Sequence, residues 1–361
     1  MKRIAVVGGG LTGLTVAYRL ARSGAEVTLF EATNRLGGQL WTARDDGFIV
    51  ELGAEGFVAR SEVIPRLAAD LGMGEGSEAH RGVPWSRLLD QQKSVSYRYD
   101  GHQLRALAPG EAAEALSFQV PRAERGAGIR TFVGGMQSLS DALSTAAAGQ
   151  VDIRTNARVD AVDADGSSVR VDGVGYDAVI LATSTAVAGR LLAPALGGSA
   201  TSRFTSAETL SSVTVSLAFE ASNVRHALDG TGFVVGEPFE GFRACTFTSS
   251  KFAHRAPDGM VSLRVFFRPT AEELATDTAW VARAADVLGR VLPITGAPLR
   301  AWVSRWPEAL PVFSPPLHEA IRDAESALVP RGIHLAGSAF HGSGIDAAVR
   351  SAEAVVARLL A

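Results

Sequence analysis

The glycine-rich stretch GGGLTG at positions 8–13 constrains the fold of this 361-residue chain more than any other feature. An apolar segment that predicts a buried strand precedes it, and a segment with the apolar spacing of a helix follows it. In such a turn Gly8 permits the tight bend, Gly10 lets the backbone approach a pyrophosphate, and Gly13 lets the helix pack closely on the strand. The helix N-terminus then faces the phosphates with unpaired N–H groups and its positive dipole end.

A second strand and an acidic residue complete a βαβ unit. Residues 2–7 and 25–30 are predicted strands, residues 11–23 are the predicted helix between them, and Gly24 sits where a left-handed residue would end that helix. Glu31 follows the second strand, eighteen residues after the last glycine of the turn. A carboxylate there accepts from both ribose hydroxyls and repels a 2′-phosphate. The unit therefore predicts a dinucleotide with an unphosphorylated ribose.

Composition and charge narrow the class of protein. Hydrophobic residues make up 47% and charged residues 20%, as in an ordinary soluble protein, and the length allows two domains or one interrupted by another. The formal net charge of −3 does not indicate the basic surface that nucleic-acid binding requires. The sequence has no apolar run long enough to predict a transmembrane segment. The first strand starts at Lys2 without a secretory signal before it, so we expect a cytoplasmic protein.

Cysteine and histidine usage argues against a metal centre. The single cysteine, Cys245, excludes an intramolecular disulfide and a cysteine-based metal cluster, and it is expected to pack in an apolar strand. The seven histidines are dispersed and lack HxxxH spacing. We therefore expect no metal site.

The stretch NRLGGQ at positions 34–39 lies directly beyond the acidic residue. It comes too soon for another helix of ordinary length and suits a loop lying across a long cofactor, with Arg35 available to a phosphate or a ribose. The alternative is a surface turn with a solvated arginine, because glycine pairs commonly mark turns.

The middle of the chain is rich in predicted strands. Asp165-Gly166 is a strong hairpin signal there, and the strands between residues 213 and 267 are expected to form one antiparallel sheet. The predicted helices cover residues 61–71, with Ser61 as a cap, and residues 137–148, 271–288 and 317–328. The predicted strands cover residues 48–52, 94–99, 151–155, 157–162, 168–171, 176–182, 213–219, 232–235, 242–247, 261–267 and 299–306.

A second strand, glycine loop and helix occur near the C-terminus. Residues 332–336 are the predicted strand, residues 337–342 the loop and residues 344–360 the helix. In an NAD dehydrogenase the nucleotide domain is usually one contiguous block. Here the sheet is begun by the N-terminus and finished by the C-terminus. A helix N-terminus at positions 344–346 would then serve the far end of a cofactor longer than NAD.

The order of these motifs resembles that of protoporphyrinogen and coproporphyrinogen oxidases, within the wider flavin amine oxidase group. The resemblance covers residues 1–75 and 130–361. It implies FAD, a two-lobed fold, and transfer of hydride from a carbon to flavin N5 with dioxygen as the final acceptor. The motifs that carry it are GGGLTG at 8–13, RLGG at 35–38, ELGAEGF at 51–57, FVGGM at 132–136, ACTF at 244–247 with SSKF at 249–252, LAG at 335–337 and HGSGID at 341–346.

The resemblance also implies roles for individual residues in FAD binding. The glycine turn would hold the pyrophosphate, Glu31 the adenosine ribose and the backbone of Val159 the adenine, while Gly53 would approach the isoalloxazine ring. Hydride arrival at N5 leaves negative charge near N1, which a helix N-terminus stabilises. The full set of implied cofactor-binding residues is Gly8, Gly10, Leu11, Thr12, Gly13, Glu31, Arg35, Gly37, Gly38, Gln39, Gly53, Ala54, Val159, Ala182, Gly337, Ser338, Gly344, Ile345 and Asp346.

The implied fold is α/β, with a discontinuous Rossmann-like FAD-binding domain and a β-sheet-based substrate lobe. Residues 1–75, 130–185 and 299–361 would form the FAD-binding domain, and residues 76–129 and 186–298 the substrate domain. Where the family carries a long helical insertion, this chain has only about 25 residues, from about 107 to 131. The helical part of the lobe is therefore reduced. The tetrapyrrole pocket would be open, completed by a partner subunit of an oligomer, or replaced by a smaller one.

Few side chains stand out as candidates for the chemistry itself. His341, beside the C-terminal glycine motif, is the catalytic candidate, with a hydrogen-bonded loop histidine as the alternative. Trp302 and Trp306 share a strand face and either line the pocket or pack in the core. Candidates for binding a substrate carboxylate are Arg60, Arg98 and Arg105.

The sequence therefore predicts an FAD-dependent oxidase that removes hydride from a C–H next to nitrogen in a cyclic substrate. That small-molecule substrate is either a porphyrinogen or a smaller biosynthetic intermediate, and O2 is the expected acceptor. A non-catalytic FAD-binding partner or scaffold protein is the alternative. An NAD(P) dehydrogenase is disfavoured by the C-terminal half of the nucleotide site.

Overall fold

A computed structural model describes residues 1–59, 61–73, 87–116, 126–164, 168–270 and 276–361. Arg60 and the hairpin signal Asp165-Gly166 lie outside the described residues. The helices are α1 (Leu11–Arg22), α2 (Val63–Asp70), α3 (Glu111–Ala115), α4 (Gln137–Ala147), α5 (Thr185–Leu191), α6 (Ala193–Leu196), α7 (Gly198–Thr205), α8 (Thr248–Lys251), α9 (Asp277–Val291), α10 (Pro315–Leu328) and α11 (Ile345–Leu360).

The strands are interspersed with these helices, with several strands often following one another. They are β1 (Arg3–Val7), β2 (Glu26–Phe30), β3 (Thr42–Asp45), β4 (Phe48–Glu51), β5 (Phe57–Val58), β6 (Leu88–Asp90), β7 (Ser96–Tyr99), β8 (Leu104–Ala106), β9 (Ile129–Phe132), β10 (Val151–Arg154), β11 (Val162–Ala164), β12 (Val169–Val171), β13 (Val174–Tyr176), β14 (Ala178–Leu181), β15 (Thr209–Glu220), β16 (Gly232–Phe239), β17 (Phe242–Thr246), β18 (Met260–Phe267), β19 (Arg300–Pro311) and β20 (Ile333–Leu335).

The sheet that contains the N-terminal βαβ unit is parallel and is assembled from distant parts of the chain. Among the described residues its strand order is β10-β2-β1-β14-β20. Ile4 of β1 pairs with Val27 of β2 on one side and with Ala178 of β14 on the other. Because β20 follows β14 at the edge, the N-terminus begins the sheet and the C-terminus completes it, which confirms the predicted α/β class.

Both faces of the parallel sheet are covered, as its apolar strands require. Successive residues of β1 point to opposite faces. Ile4 and Val6 belong to one hydrophobic cluster, with residues of α1, α4 and α11. Ala5 and Val7 belong to another, with residues of α5, α7 and α10. Gly24 ends α1 in the left-handed region at φ +88°, as predicted.

A second sheet of seven described strands has the order β19-β15-β18-β17-β16-β7-β8. Its strands between residues 209 and 267 pair antiparallel, as predicted, and β7 adds to β16 in parallel. One face packs on α9, where the indole of Trp280 lies 5.2 Å from the ring of Phe267. Part of the other face is turned toward the loop after β4, which Ser304 of β19 contacts.

Two predicted elements are wrong in position. Residues 157–161 are not a strand, because the amides of Asp160 and Ala161 donate to the carboxylate of Asp172 instead of a ladder; β11 begins only at residue 162. Helix α9 begins at residue 277, later than predicted, because Thr276 caps it by accepting from the amide of Ala279 at 3.3 Å. Residues 271–275 lie outside the described residues.

Two regions bear on the predicted division of the chain. Strand β19 pairs with β15 along the edge of the seven-stranded sheet, although the predicted boundary at residue 299 assigns it to the FAD-binding part. Between residues 107 and 131 the described residues contain the five-residue helix α3 and the start of β9. The domain boundaries stay a prediction. Among the described residues no helix has the length and apolarity of a membrane span.

Candidate functional site

Two glycines of the first turn are required by the protein itself. A Cβ at Gly8 would lie 2.4 Å from the carbonyl oxygen of Ala182, and Gly8 has a φ of +109°. A Cβ at Gly13 would lie 1.8 Å from the carbonyl oxygen of Gly8. Any side chain at these positions would displace the backbone, so the tight bend and the close helix packing both depend on glycine.

Gly10 is different because no described protein atom requires a glycine there. Its φ of −74° and ψ of −177° are open to any residue. The nearest atom to an added Cβ is the Cα of Gly38, at an ordinary contact distance of 3.7 Å. The missing side chain therefore leaves room for a group that the protein does not supply, as a pyrophosphate against the backbone would need.

Two helix N-termini meet beside this turn. The first intrahelical bonds of α1 and α11 are those from Leu14 to Gly10 and from Ala348 to Gly344. The three preceding amides of each helix, at positions 11–13 and 345–347, have no partner among the described residues. The hydroxyl of Thr12 donates to the carbonyl of Ala348 at 3.3 Å, so the two ends are adjacent. Together they can bind a long anionic ligand at two points.

The loop of residues 34–40 lies against the glycine turn. The amide of Gly37 donates to the carbonyl of Gly9 at 2.8 Å. Arg35 donates to the carbonyls of Leu36 and Gly38, at 3.0 and 2.6 Å, and its guanidinium stacks over Trp41. Burial lowers the pKa of Arg35. Its described contacts shape the loop, and a contact with phosphate or ribose stays a prediction.

Glu31 is held rigidly at the end of β2. One carboxylate oxygen accepts from the amide of Gly9 at 2.8 Å, and the other accepts from the amide and the hydroxyl of Thr33 at 2.9 and 2.8 Å. An ionised carboxylate has about four acceptor sites, so these three bonds leave capacity for a ribose hydroxyl.

Val159 and Ala182, two of the predicted cofactor-binding residues, differ in how their backbone groups are paired. Val159 is buried, and its backbone N–H and C=O have no partner among the described residues. Buried backbone groups are nearly always paired, so this pair of groups fits the edge of a bound base. Ala182, in contrast, donates its amide to Val7 within the sheet, at 2.8 Å.

The C-terminal loop carries a chain of hydrogen bonds. The amide of Gly337, which has a φ of +111°, donates to the hydroxyl oxygen of Ser351 at 2.8 Å. That oxygen lies 2.7 Å from Nδ1 of His341, and Nε2 of His341 lies 3.1 Å from Glu325. Both ring nitrogens of His341 therefore have protein partners, which is the arrangement of a hydrogen-bonded loop histidine. Ser338 follows in the turn after Gly337.

The start of α11 has room and polarity for a ligand. An added Cβ at Gly344 would meet no described atom within 4 Å, and Gly344 has a φ of +95°. Oδ1 of Asp346 is buried and has no partner among the described residues. Orphaned buried polar atoms indicate a missing partner. Together with the unpaired amides, these features fit a flavin dinucleotide.

The predicted flavin-ring loop is tied to the seven-stranded sheet. A Cβ at Gly53 would lie 1.9 Å from the carbonyl oxygen of Gln39, which also accepts from the amide of Ala54. The carbonyl of Leu52 accepts from the Ser304 hydroxyl and the Trp306 indole, at 2.6 and 2.7 Å. Trp306 thus positions this loop. Trp302 packs against the ring of Phe48, at 5.4 Å between centroids.

A buried layer of charged side chains lies behind this loop, and sequence reasoning missed it. It consists of Glu51, Glu55, Lys251, Arg255 and Arg264, and we call it the buried charge layer. Lys251 pairs with Glu55 at 2.5 Å, and Arg264 donates to the carbonyl of Gly53 at 2.6 Å. The available signal was an arginine at position 264 inside a largely apolar strand, since charged residues are almost never buried unless paired.

The two carboxylates of the layer respond differently to burial. Burial raises the pKa of Glu51, although Arg255 and the hydroxyl of Thr42 oppose the shift. Burial alone would also raise the pKa of Glu55, but the charges of Lys251 and Arg264 outweigh it and hold that pKa below its usual value. Glu55 is therefore the ionised partner of a buried pair.

Arg98 and Arg105, which the sequence proposed for a substrate carboxylate, lie away from these groups. Arg98 of β7 and Arg105 of β8 are opposite each other in the register of these two antiparallel strands, at the edge of the seven-stranded sheet. Arg105 donates to the carboxylate of Asp100 at 2.5 Å. Cys245 is buried in β17, and burial raises the pKa of its thiol, as expected for a packing residue.

Sequence comparisons identify related proteins over nearly the whole chain. The sequence profile of the family described as flavin containing amine oxidoreductase matches residues 11–122 and 111–360. Coproporphyrinogen III oxidase of Bacillus subtilis (strain 168) is 23% identical over 466 aligned positions, which take in 99% of this chain and 98% of the relative. Coproporphyrinogen III oxidase of Mycobacterium bovis is 28% identical, with 98% and 96% covered.

Solved structures share the fold. A candidate protoporphyrinogen oxidase from Exiguobacterium sp. 255-15 superposes with a TM-score of 0.82 at 22% identity, over 99% of this chain and 98% of that chain. Reduced UDP-galactopyranose mutase superposes with a TM-score of 0.77 at 14% identity, over 100% and 96%. The alignment with the Bacillus subtilis relative has about a hundred more positions than this chain has residues, so this chain is shorter.

Proposed function

Because this chain belongs to the flavin-containing amine oxidoreductase family and is a flavin-dependent oxidoreductase, we propose that its cofactor is FAD and that it oxidises a cyclic, nitrogen-containing substrate. The observation that carries the proposal is the meeting of the two helix N-termini, α1 and α11, with unpaired amides beside Gly10. One such end serves a pyrophosphate, and the second suits the far end of a longer cofactor.

Residues of the chain have distinct tasks in this proposal. The amides of α1 bind the pyrophosphate, Glu31 accepts from the ribose, and the backbone of Val159 meets the adenine. When bound, the flavin supplies a two-electron acceptor for hydride. The amides at the start of α11 stabilise negative charge at their end of the site, because a helix N-terminus carries positive partial charge.

The proposed reaction is stepwise removal of hydride from a C–H next to nitrogen. Each step takes two electrons and one proton from the carbon and releases the N–H proton to solvent. Dioxygen then takes up the two electrons with two protons and leaves as hydrogen peroxide. No described side chain is assigned as a base, since both ring nitrogens of His341 are occupied by protein partners.

We take a porphyrinogen as the first substrate to test. Curated relatives that span the whole chain are coproporphyrinogen III oxidases, which supports it. The shortened region between residues 107 and 131 favours instead a smaller biosynthetic intermediate or a pocket completed by a second subunit.

The test is oxidation of coproporphyrinogen III by the purified protein supplied with FAD, in air. We expect a fluorescent porphyrin to accumulate together with hydrogen peroxide, and neither to form when FAD is withheld. A protein that binds FAD but yields no porphyrin contradicts the porphyrinogen assignment and leaves the smaller substrate.

The second candidate function is a non-catalytic FAD-binding partner or scaffold protein. The shortness of this chain relative to its relatives favours it, because a lost insertion removes pocket walls. Anaerobic mixing with candidate substrates separates the two functions: an enzyme loses its yellow flavin absorbance with at least one of them, and a scaffold with none.

A further inference from the structure

We propose that the buried charge layer raises the reduction potential of the bound flavin through its surplus of positive charge. The inference rests on the proposed FAD site and concerns residues outside it. The layer contains two carboxylates, Glu51 and Glu55, and three cations. The cations are Lys251, Arg255 and Arg264.

The layer is almost completely withdrawn from solvent. Arg255 is 0% exposed, Arg264 4% and Lys251 6%. Two neighbouring arginines of the described residues leave the surplus unchanged, because each of them pairs with a carboxylate. Arg44 lies 3.9 Å from Asp141, and Arg130 lies 2.7 Å from Asp90. Buried charges are screened much less than exposed ones, so the surplus acts over a longer range.

Hydrogen bonds satisfy only part of the layer. Arg255 donates to the carbonyls of Val133 and Phe132, at 3.0 and 2.9 Å, and lies 3.8 Å from Glu51. The Nε groups of Arg255 and Arg264 are buried and have no partner in the described part of the chain, and neither has Oε1 of Glu55. A layer built only for packing would be expected to satisfy these groups.

One contact links the layer to the predicted flavin ring. The guanidinium of Arg264 donates to the carbonyl oxygen of Gly53 at 2.6 Å. Gly53 and Ala54 form the loop that the family resemblance assigns to the isoalloxazine ring. Reduction adds negative charge to that ring, so a positive charge hydrogen-bonded to this loop favours the reduced form.

If the layer only stabilised the packing of the loop, the change in flavin potential would not depend on the sign of the charge that is removed. Lys251→Met removes a positive charge and should lower the flavin potential, whereas Glu55→Gln removes a negative charge and should raise it. The double variant loses both partners and the most packing, but the net charge of the layer is unchanged. Its potential should therefore return toward that of the wild type.

The experiment is a redox titration of the flavin-loaded protein against a reference dye for these three variants. Arg264→Met should lower the potential, and Arg264→Lys, which keeps the charge, should lie nearer the wild type. Arg203→Met is the matched control and should have no effect, because Arg203 is a half-buried arginine of α7 that pairs with Asp323. Thermal unfolding identifies variants that do not fold.

The outcomes separate this inference from the proposed function. Shifts of opposite sign for Lys251→Met and Glu55→Gln, cancelling in the double variant, support the inference. Shifts of the same sign, or no shift for Glu55→Gln, overturn it while FAD binding stands. If Lys251→Met does not fold, the potentials of Glu55→Gln, Arg264→Met and Arg264→Lys test the inference by themselves. A wild type that binds no flavin overturns the proposed function, and this inference with it.

Discussion

At the scale of single residues, glycine serves two purposes in the first turn. Gly13 is glycine because protein atoms occupy the space of a side chain, whereas the space beside Gly10 is open. The sequence motif names all three glycines without distinguishing them. The structure separates those that the fold needs from the one that a ligand would need.

This difference gives a prediction for the protein without cofactor. Gly13→Ala should destabilise it by about 3 kcal/mol or more, because the new Cβ meets a backbone oxygen. Gly10→Ala should cost about 1 kcal/mol or less, the usual cost of alanine at a helix cap. Chemical denaturation of the two variants measures both values. Equal destabilisation would contradict the distinct roles.

Glu31 carries a second residue-scale prediction. Glu31→Ala should weaken FAD binding by roughly 10- to 100-fold, the value of a hydrogen bond to a charged group. Glu26→Ala is the control, since Glu26 is exposed on the same strand and pairs with Arg3. Titration with FAD followed by flavin fluorescence measures the affinities. Wild-type affinity in Glu31→Ala would remove the proposed ribose contact.

At the scale of elements, local patterns predicted most strands and helices, and distant contacts explain the failures. Residues 157–161 read as a strand, but the carboxylate of Asp172, further along the chain, accepts from the amides of Asp160 and Ala161. The buried charge layer was missed for the same reason, because Lys251 and Glu55 are 196 positions apart. A pattern along the chain does not show which distant charge will be the partner of a residue.

Strand β20 gives a prediction on pH dependence. Its His334 is buried, and desolvation lowers its pKa to about 4, from 6.5. Between these two pH values His334 is protonated in the unfolded chain but not in the folded chain. The free energy of unfolding therefore falls as the pH drops from 6.5 toward 4. We expect this part of the loss to be about 3 kcal/mol.

His334→Gln removes the titrating group and should flatten this part of the profile. The measurement is the free energy of unfolding at several pH values for both proteins. An identical pH dependence in the variant and the wild type would show that His334 is not responsible.

At the scale of the whole molecule, the joining of the two chain ends in one sheet was predictable, and the placement of the seven-stranded sheet was not. The strand and glycine motif near residue 335 predicted a sheet completed by the C-terminus, which the order β1-β14-β20 confirms. In contrast, β19 lies in the seven-stranded sheet while its Ser304 and Trp306 hold the loop at Leu52. We propose that the substrate part extends through β19, to about residue 311.

The central claim is that two helix N-termini from opposite ends of the chain hold one FAD. The most direct test is the FAD content of the purified protein after incubation with FAD and gel filtration, identified by releasing the cofactor on denaturation. We predict one FAD per chain in the wild type and little or none in a folded Gly10→Val variant. A wild type without FAD, or a Gly10→Val variant with full FAD content, would contradict the account.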